Sequence, residues 1–208
     1  MGFLMRHVLI TGFEPFGGAS DNLSWDAAAA LARRPAPDGT RISAVRLPCV
    51  FDTSLTVLRA AVTEYDPALV ICLGLANGRT EITPERVAIN LDDARIPDNA
   101  GAQPFDRPVI PGGPAAYLAD LPLKAAVAAM TAAGVPASIS YTAGTFVCNH
   151  VFYGLRHLIA TERPDLRGGF VHVPPNLPVE RLTDGLAELV RICLDTDTDL
   201  AVSAGTLH

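Results

Sequence analysis

Residues 68–74 read A-L-V-I-C-L-G: six apolar side chains in a row, then a glycine. A run of that length without alternation fits a strand covered on both faces, as in parallel sheets flanked by helices. Working outward, 51–65 is an amphipathic helix, with Phe51, Leu55, Leu58 and Val62 on one stripe. Further strands are expected at 6–11, 41–47, 138–141 and 169–173. Further helices are expected at 25–34, 115–133 (closed by Gly134), 146/147–160 and 180–194. Strands and helices alternate, so the expected fold is α/β: a three-layer α/β/α sandwich on a mostly parallel, mixed sheet. The stretch 74–113 has no convincing helix and is too long for a simple connection. It reads as hairpins with a functional loop, an antiparallel excursion containing a strand near 86–91.

The chain has 208 residues, 49% hydrophobic and 18% charged, enough for one domain with a real core. Residues 1–208 are expected to form that single domain, with 1–4 an extension ahead of a start at Met5. The net charge is −6, and the longest basic cluster is Arg33-Arg34. Neither a nucleic-acid nor a membrane partner is expected from that balance. No apolar run approaches the roughly 20 residues that span a bilayer, and no signal peptide is legible. The four cysteines, Cys49, Cys72, Cys148 and Cys193, are scattered with no C-x-x-C pair. That spacing argues against a zinc site and for free thiols in a reducing, cytoplasmic compartment.

Sites in open α/β sheets form beyond the carboxyl ends of the strands. Four segments meet there. They carry Phe13, Glu14 and Phe16; Arg79, Glu81, Glu85 and Arg86; the turn T-A-G-T-F-V-C-N-H at 142–150; and His172. Cys148 lands in the first turn of its predicted helix, where free backbone N–H groups and the helix dipole favour a thiolate and suit an oxyanion. Cys72 reads as core, and Cys49 and Cys193 show nothing catalytic.

A cysteine nucleophile needs a base. Of five histidines, His7 lies at the wrong end of its strand and His208 in the tail. His150 and His157 are turned about 200° and 180° from Cys148 around the helix. His172, at the carboxyl end of a strand, is the histidine suitably placed. The group that orients its imidazole is left open among Glu85, Glu81, Asp92 and Asp93.

The segment S-Y-T-A-G-T-F-V-C-N-H-V-F-Y-G-L at 140–155 resembles the cysteine signature of the pyroglutamyl peptidase I family. I-T-P-E-R-V-A-I-N at 82–90 resembles that family's glutamate signature, and G-G-F-V-H-V-P at 168–174 its histidine segment. T-G-F-E-P-F-G-G and D-D-A-R-I-P-D-N-A-G are similar as well. The resemblance implies Cys148 as nucleophile, His172 as base and Glu85 as third member. It implies hydrolysis of the amide bond after an N-terminal pyroglutamate (5-oxoproline), with no cofactor or metal, in a homo-oligomer, by resemblance a tetramer. It also implies substrate contacts for Phe13, Phe16, Asn22, Arg95, Phe146 and Val147.

One motif departs from the family pattern. Where G-Q-A-G-G-R is usual, this chain reads G-L-A-N-G-R at 74–79. Leu75 thus stands where a glutamine is associated with the pocket, and a loss of substrate contact is expected there. Two other functions stay open at this point: a thiol amidase of altered preference, and a non-catalytic small-molecule-binding protein of the same fold.

Overall fold

In the computed structural model, which describes residues 6–35 and 39–206, the 68–74 run becomes a strand buried along nearly its whole length. The elements in chain order are β1 (His7–Phe13), α1 (Leu23–Ala32), β2 (Arg41–Leu47), α2 (Thr53–Tyr65), β3 (Leu69–Leu75), β4 (Thr83–Pro84), β5 (Val87–Ile89) and β6 (Ala116–Leu118). They continue with α3 (Leu123–Ala132), α4 (Val147–Thr161), β7 (Arg167–Val173) and α5 (Val179–Asp195). Among the described residues the main sheet holds five strands in the order β2-β1-β3-β7-β4, all parallel except β4. Helix α5 packs on α1 and α3, and α4 packs on α2 and β7, giving the expected three layers. A separate antiparallel pair, β5-β6, is the excursion.

The chain leaves β1 toward β2 and returns across it to β3, so the order reverses between β1 and β3. That reversal opens a crevice beyond the carboxyl ends of the two strands. Close packing frames it. A Cβ on Gly12 would lie 2.4 Å from the Ser24 carbonyl oxygen, so only glycine lets α1 approach β1 this closely.

Two expected elements differ. The helix foreseen over 115–133 begins only at Leu123, because Pro122 caps it and 116–118 extends to pair with β5. Residues 138–141 do not join the main sheet. They run parallel beside 82–86 through Ser138 N–H to the Ile82 carbonyl (3.1 Å), Ser140 N–H to that of Pro84 (3.0 Å) and Arg86 N–H to that of Ser140 (2.7 Å). The sheet's edge partner is instead β4, two residues long and antiparallel to β7. No described helix is long and apolar enough to cross a membrane. The extension at 1–4, the start at Met5 and the tail residue His208 lie outside the described residues.

Candidate active site

Backbone alternation puts the chemistry on one face of the sheet. Gly74 on β3 and His172 on β7 are register partners, and Phe170, two residues before His172, shares their face. A Cβ on Gly74 would meet Cys148 Sγ at 2.8 Å and the Phe170 ring at 2.8 Å. The thiol therefore lies directly over Gly74, beside the strand position of His172. Cys148 is held there by α4, whose N-cap, Phe146, supplies no side-chain hydrogen bond. The first backbone N–H groups of that helix are left for a ligand. Gly144, at φ +77°, makes the turn into the helix. Thr145 anchors that turn by donating to the Asp93 carbonyl at 2.7 Å.

His172 Nδ1 is 2.7 Å from Glu85 Oε1, and Glu85 is fully buried. A carboxylate is an acceptor, so it fixes the imidazole proton on Nδ1 and leaves Nε2 its lone pair. Of the four acidic candidates, Glu85 is therefore the one that meets this histidine. Burial draws the His172 imidazole below its ordinary pKa of 6.5, and the Glu85 contact partly offsets that. Burial also pushes the Cys148 thiol well up, helped by the nearby Cys49 and Glu85 and opposed by Arg79. The helix terminus alone leads one to expect a standing thiolate. Desolvation overrides that, so at rest the proton belongs on sulfur and a base must take it.

The remaining predicted site residues divide. Phe16 and Phe146, both part-exposed, lie 6.3 Å apart between ring centroids, and Phe51 meets Phe146 edge-on at 5.3 Å. They form an aromatic wall two residues before the thiol. Phe51 was not foreseen, because its periodicity assigns it to the stripe of α2. Phe13 and Val147 are buried behind this wall, Phe13 packing on Phe170 at 6.4 Å, so both support the site from the core.

Asn22 caps α1. Its Oδ1 accepts from Ser24 N–H and Oγ, and its Nδ2 donates to the Glu14 carbonyl, so it shapes the 13–22 loop instead of reaching substrate. Arg95 is exposed, and its side chain makes no hydrogen bond or ion pair. Leu75 follows Gly74, so alternation turns its side chain to the opposite face of the sheet, in register with Val173. The expected substrate contact by that side chain is thereby corrected.

Sequence reasoning named Arg79 only as one of several loop charges. In the structure it donates to Glu85 Oε1 at 2.6 Å, to Thr83 Oγ1, and to the Thr142 carbonyl at 2.8 Å. Its signal was its place between β3 and the glutamate, six residues ahead of Glu85. His150 and Asp92 belong to a different network. His150 Nδ1 lies 2.9 Å from Asp92 Oδ2, and its Nε2 accepts from Asp52 N–H at 3.0 Å. Arg107 donates to Asp92 at 2.9 Å. Among the described residues, no group of three or more His, Cys, Asp or Glu is placed to hold a metal ion.

The fit around Gly74 gives a first prediction. Gly74→Ala should push Sγ aside and crowd the Phe170 ring. A displacement of that size should cost at least about tenfold in kcat. Kinetics with thermal melting separates this from unfolding, and undiminished kcat would refute the placement of the thiol.

A thiol over a sheet edge, with an imidazole and a buried carboxylate beside it, places the molecule among cysteine hydrolases. The comparisons narrow that class. The family profile described as "Pyroglutamyl peptidase" matches residues 6–205. The chain is similar to the pyrrolidone-carboxylate peptidase of Streptomyces coelicolor, 56% identical over 98% of this chain and 100% of that protein. It is 49% identical to that of Pectobacterium carotovorum, again over 98% and 100%. The crystal structure of pyroglutamyl peptidase I from Bacillus amyloliquefaciens superposes with a TM-score of 0.92 at 43% identity, covering 96% of this chain and 100% of that one. The chain belongs to the pyroglutamyl peptidase family of cysteine peptidases.

Proposed function

We propose that this chain, as one domain, removes N-terminal pyroglutamate from peptides, with Cys148 as nucleophile, His172 as general base and acid, and Glu85 as the group that orients the imidazole. The observation that carries this reading is the Glu85–His172 pair, 2.7 Å apart and buried, set beside the thiol that occupies the space over Gly74. His172 Nε2 takes the Cys148 proton as sulfur attacks the pyroglutamyl carbonyl. The developing oxyanion is met by the free N–H groups at the start of α4. His172 then gives its proton to the leaving amine, and a thioester remains. Water, deprotonated by the same nitrogen, releases pyroglutamate and restores the thiol. The flat, neutral lactam suits the Phe16–Phe146 wall.

The experiment is fluorophore release from a pyroglutamyl amide beside a panel of aminoacyl amides. Cleavage of the pyroglutamyl amide alone is expected. Preferential cleavage of another amide would overturn the substrate while keeping the thiol chemistry. Because its side chain faces away from the thiol, Leu75→Gln should change kcat/KM by less than about threefold. A gain of tenfold or more would show that a contact was indeed missing there.

Two further parts of the proposal rest on less. The four free thiols support a reducing compartment such as the cytoplasm. Assembly into a homo-oligomer, a tetramer by resemblance, is supported by apolar side chains left uncovered, Phe105 at 86% and Leu118 at 66% exposure. Sedimentation equilibrium tests it, and a monomer at micromolar concentration would reject it.

A further inference from the structure

Arg79 is unlike the other arginines near the crevice. Arg95 is exposed and unpaired, whereas the Arg79 guanidinium is only 23% exposed and its hydrogen bonds run inward. One nitrogen serves Glu85 Oε1 and Thr83 Oγ1, and the other the Thr142 carbonyl. Glu85 has nowhere else to turn: its side chain is fully buried, and its Oε2 accepts no hydrogen bond from the described residues. A buried carboxylate without a cation is costly, and a single Oε1 here serves both Arg79 and His172. Thr142 begins the turn that leads through Gly144 to Cys148. A planar fork reaches both partners at once, as an ammonium cannot.

We propose that Arg79 is a positioning residue: it aims the buried Glu85 carboxylate at His172 Nδ1 and ties that pair to the turn carrying Cys148. The inference rests on the proposed roles of Cys148, His172 and Glu85. It gives the guanidinium a task distinct from substrate binding, because its reach is spent on Glu85, Thr83 and the Thr142 backbone. The charged and titratable groups that bear on Cys148 are Cys49, Cys72, Glu85 and Arg79, and those on His172 are Glu85 and Arg79. Arg79 is the one cation in both sets. Removing it makes thiol and imidazolium alike harder to deprotonate, whichever loses its proton first.

The test uses Arg79→Met, Arg79→Lys and Arg79→Met combined with Glu85→Gln in the full chain. Two readouts are needed: steady-state kinetics on a pyroglutamyl amide, and the pH dependence of Cys148 alkylation by iodoacetamide, which requires no peptide. Arg79→Met should lower kcat by about tenfold to a hundredfold with KM within about threefold. Its alkylation midpoint should move to higher pH. Arg79→Lys keeps the charge and loses the fork, so it should recover part of kcat with a midpoint near that of the unaltered protein. In the Glu85→Gln background, Arg79→Met should cost less than about threefold, because its partner is already disarmed.

An equal cost in both backgrounds, an unmoved midpoint in Arg79→Met, or a loss carried by KM would each overturn the proposal. If thermal melting shows Arg79→Met unfolded, Arg79→Lys decides: undiminished kcat there would overturn it too. Should the unaltered protein alkylate at Cys148 yet cleave no pyroglutamyl amide, the proposed reaction fails, while the alkylation midpoints still judge Arg79.

Discussion

Cys148→Ala should abolish pyroglutamyl amide hydrolysis, a loss of at least about a thousandfold, with little change in melting temperature. The size follows from chemistry. Without sulfur no thioester forms, and nothing in the crevice replaces it as a nucleophile. Cys49→Ala and Cys72→Ala should keep most of the activity. Their thiols are buried and burial pushes each up to about 12, which leaves them protonated and inert at neutral pH. Iodoacetamide should inactivate with one equivalent at Cys148, and a pyroglutamyl ligand should protect. Mass spectrometry that found inactivation through another cysteine would sink the assignment.

The second large effect separates two histidines. His172→Ala should lower kcat by about a hundredfold to ten-thousandfold, the usual worth of a general acid–base group, in a protein that still folds. His150→Ala should do the reverse. Its imidazole is fully buried between Asp92 and the Asp52 backbone, where Asp52 holds φ at +59°. Removing it strips a partner from a buried carboxylate and costs of the order of 3 kcal/mol. For a chain of this size that lowers the melting temperature by about 6–12 °C, while kcat at 25 °C stays within a few-fold. Comparable losses of kcat in both variants would show that the base is misassigned.

The pH profile carries a sign. His172 must be neutral to accept the thiol proton, and burial draws its pKa below 6.5. The acid limb of kcat/KM should therefore have its midpoint below that of an ordinary histidine, about 6.5. A midpoint above it would mean that the Glu85 contact outweighs desolvation.

Much of this was legible because it is local. The apolar run at 68–73 and the amphipathic stripes mark β3 and the helices by composition and period alone. The placement of Cys148 in a first helical turn is equally local. Other features are not. The 138–141 segment has strand propensity, yet what it pairs with is set by the 82–86 segment beside it, and sequence period cannot see across chains of contact. Leu75 looks like a pocket residue by motif, but the face it takes depends on Gly74 lying under the thiol. The tie between Arg79 and Glu85 forms when the loop after β3 folds back over the sheet edge, and only coordinates reveal it. The antagonism between helix dipole and desolvation at Cys148 is likewise a tertiary balance.

The position of β7 has a consequence for timing. It is the last strand of the chain, yet it lies between β3 and β4, both made long before it. The proposed base rides on this strand, whereas the thiol and the carboxylate precede it. While the chain is being made, from amino to carboxyl end, the sulfur exists without its proton acceptor and Glu85 without its imidazole. Peptide-cleaving capacity therefore arrives with the final insertion into the sheet. A ribosome-bound or truncated chain ending before residue 167 is a peptidase without a base, kept inert by the order of its own strands.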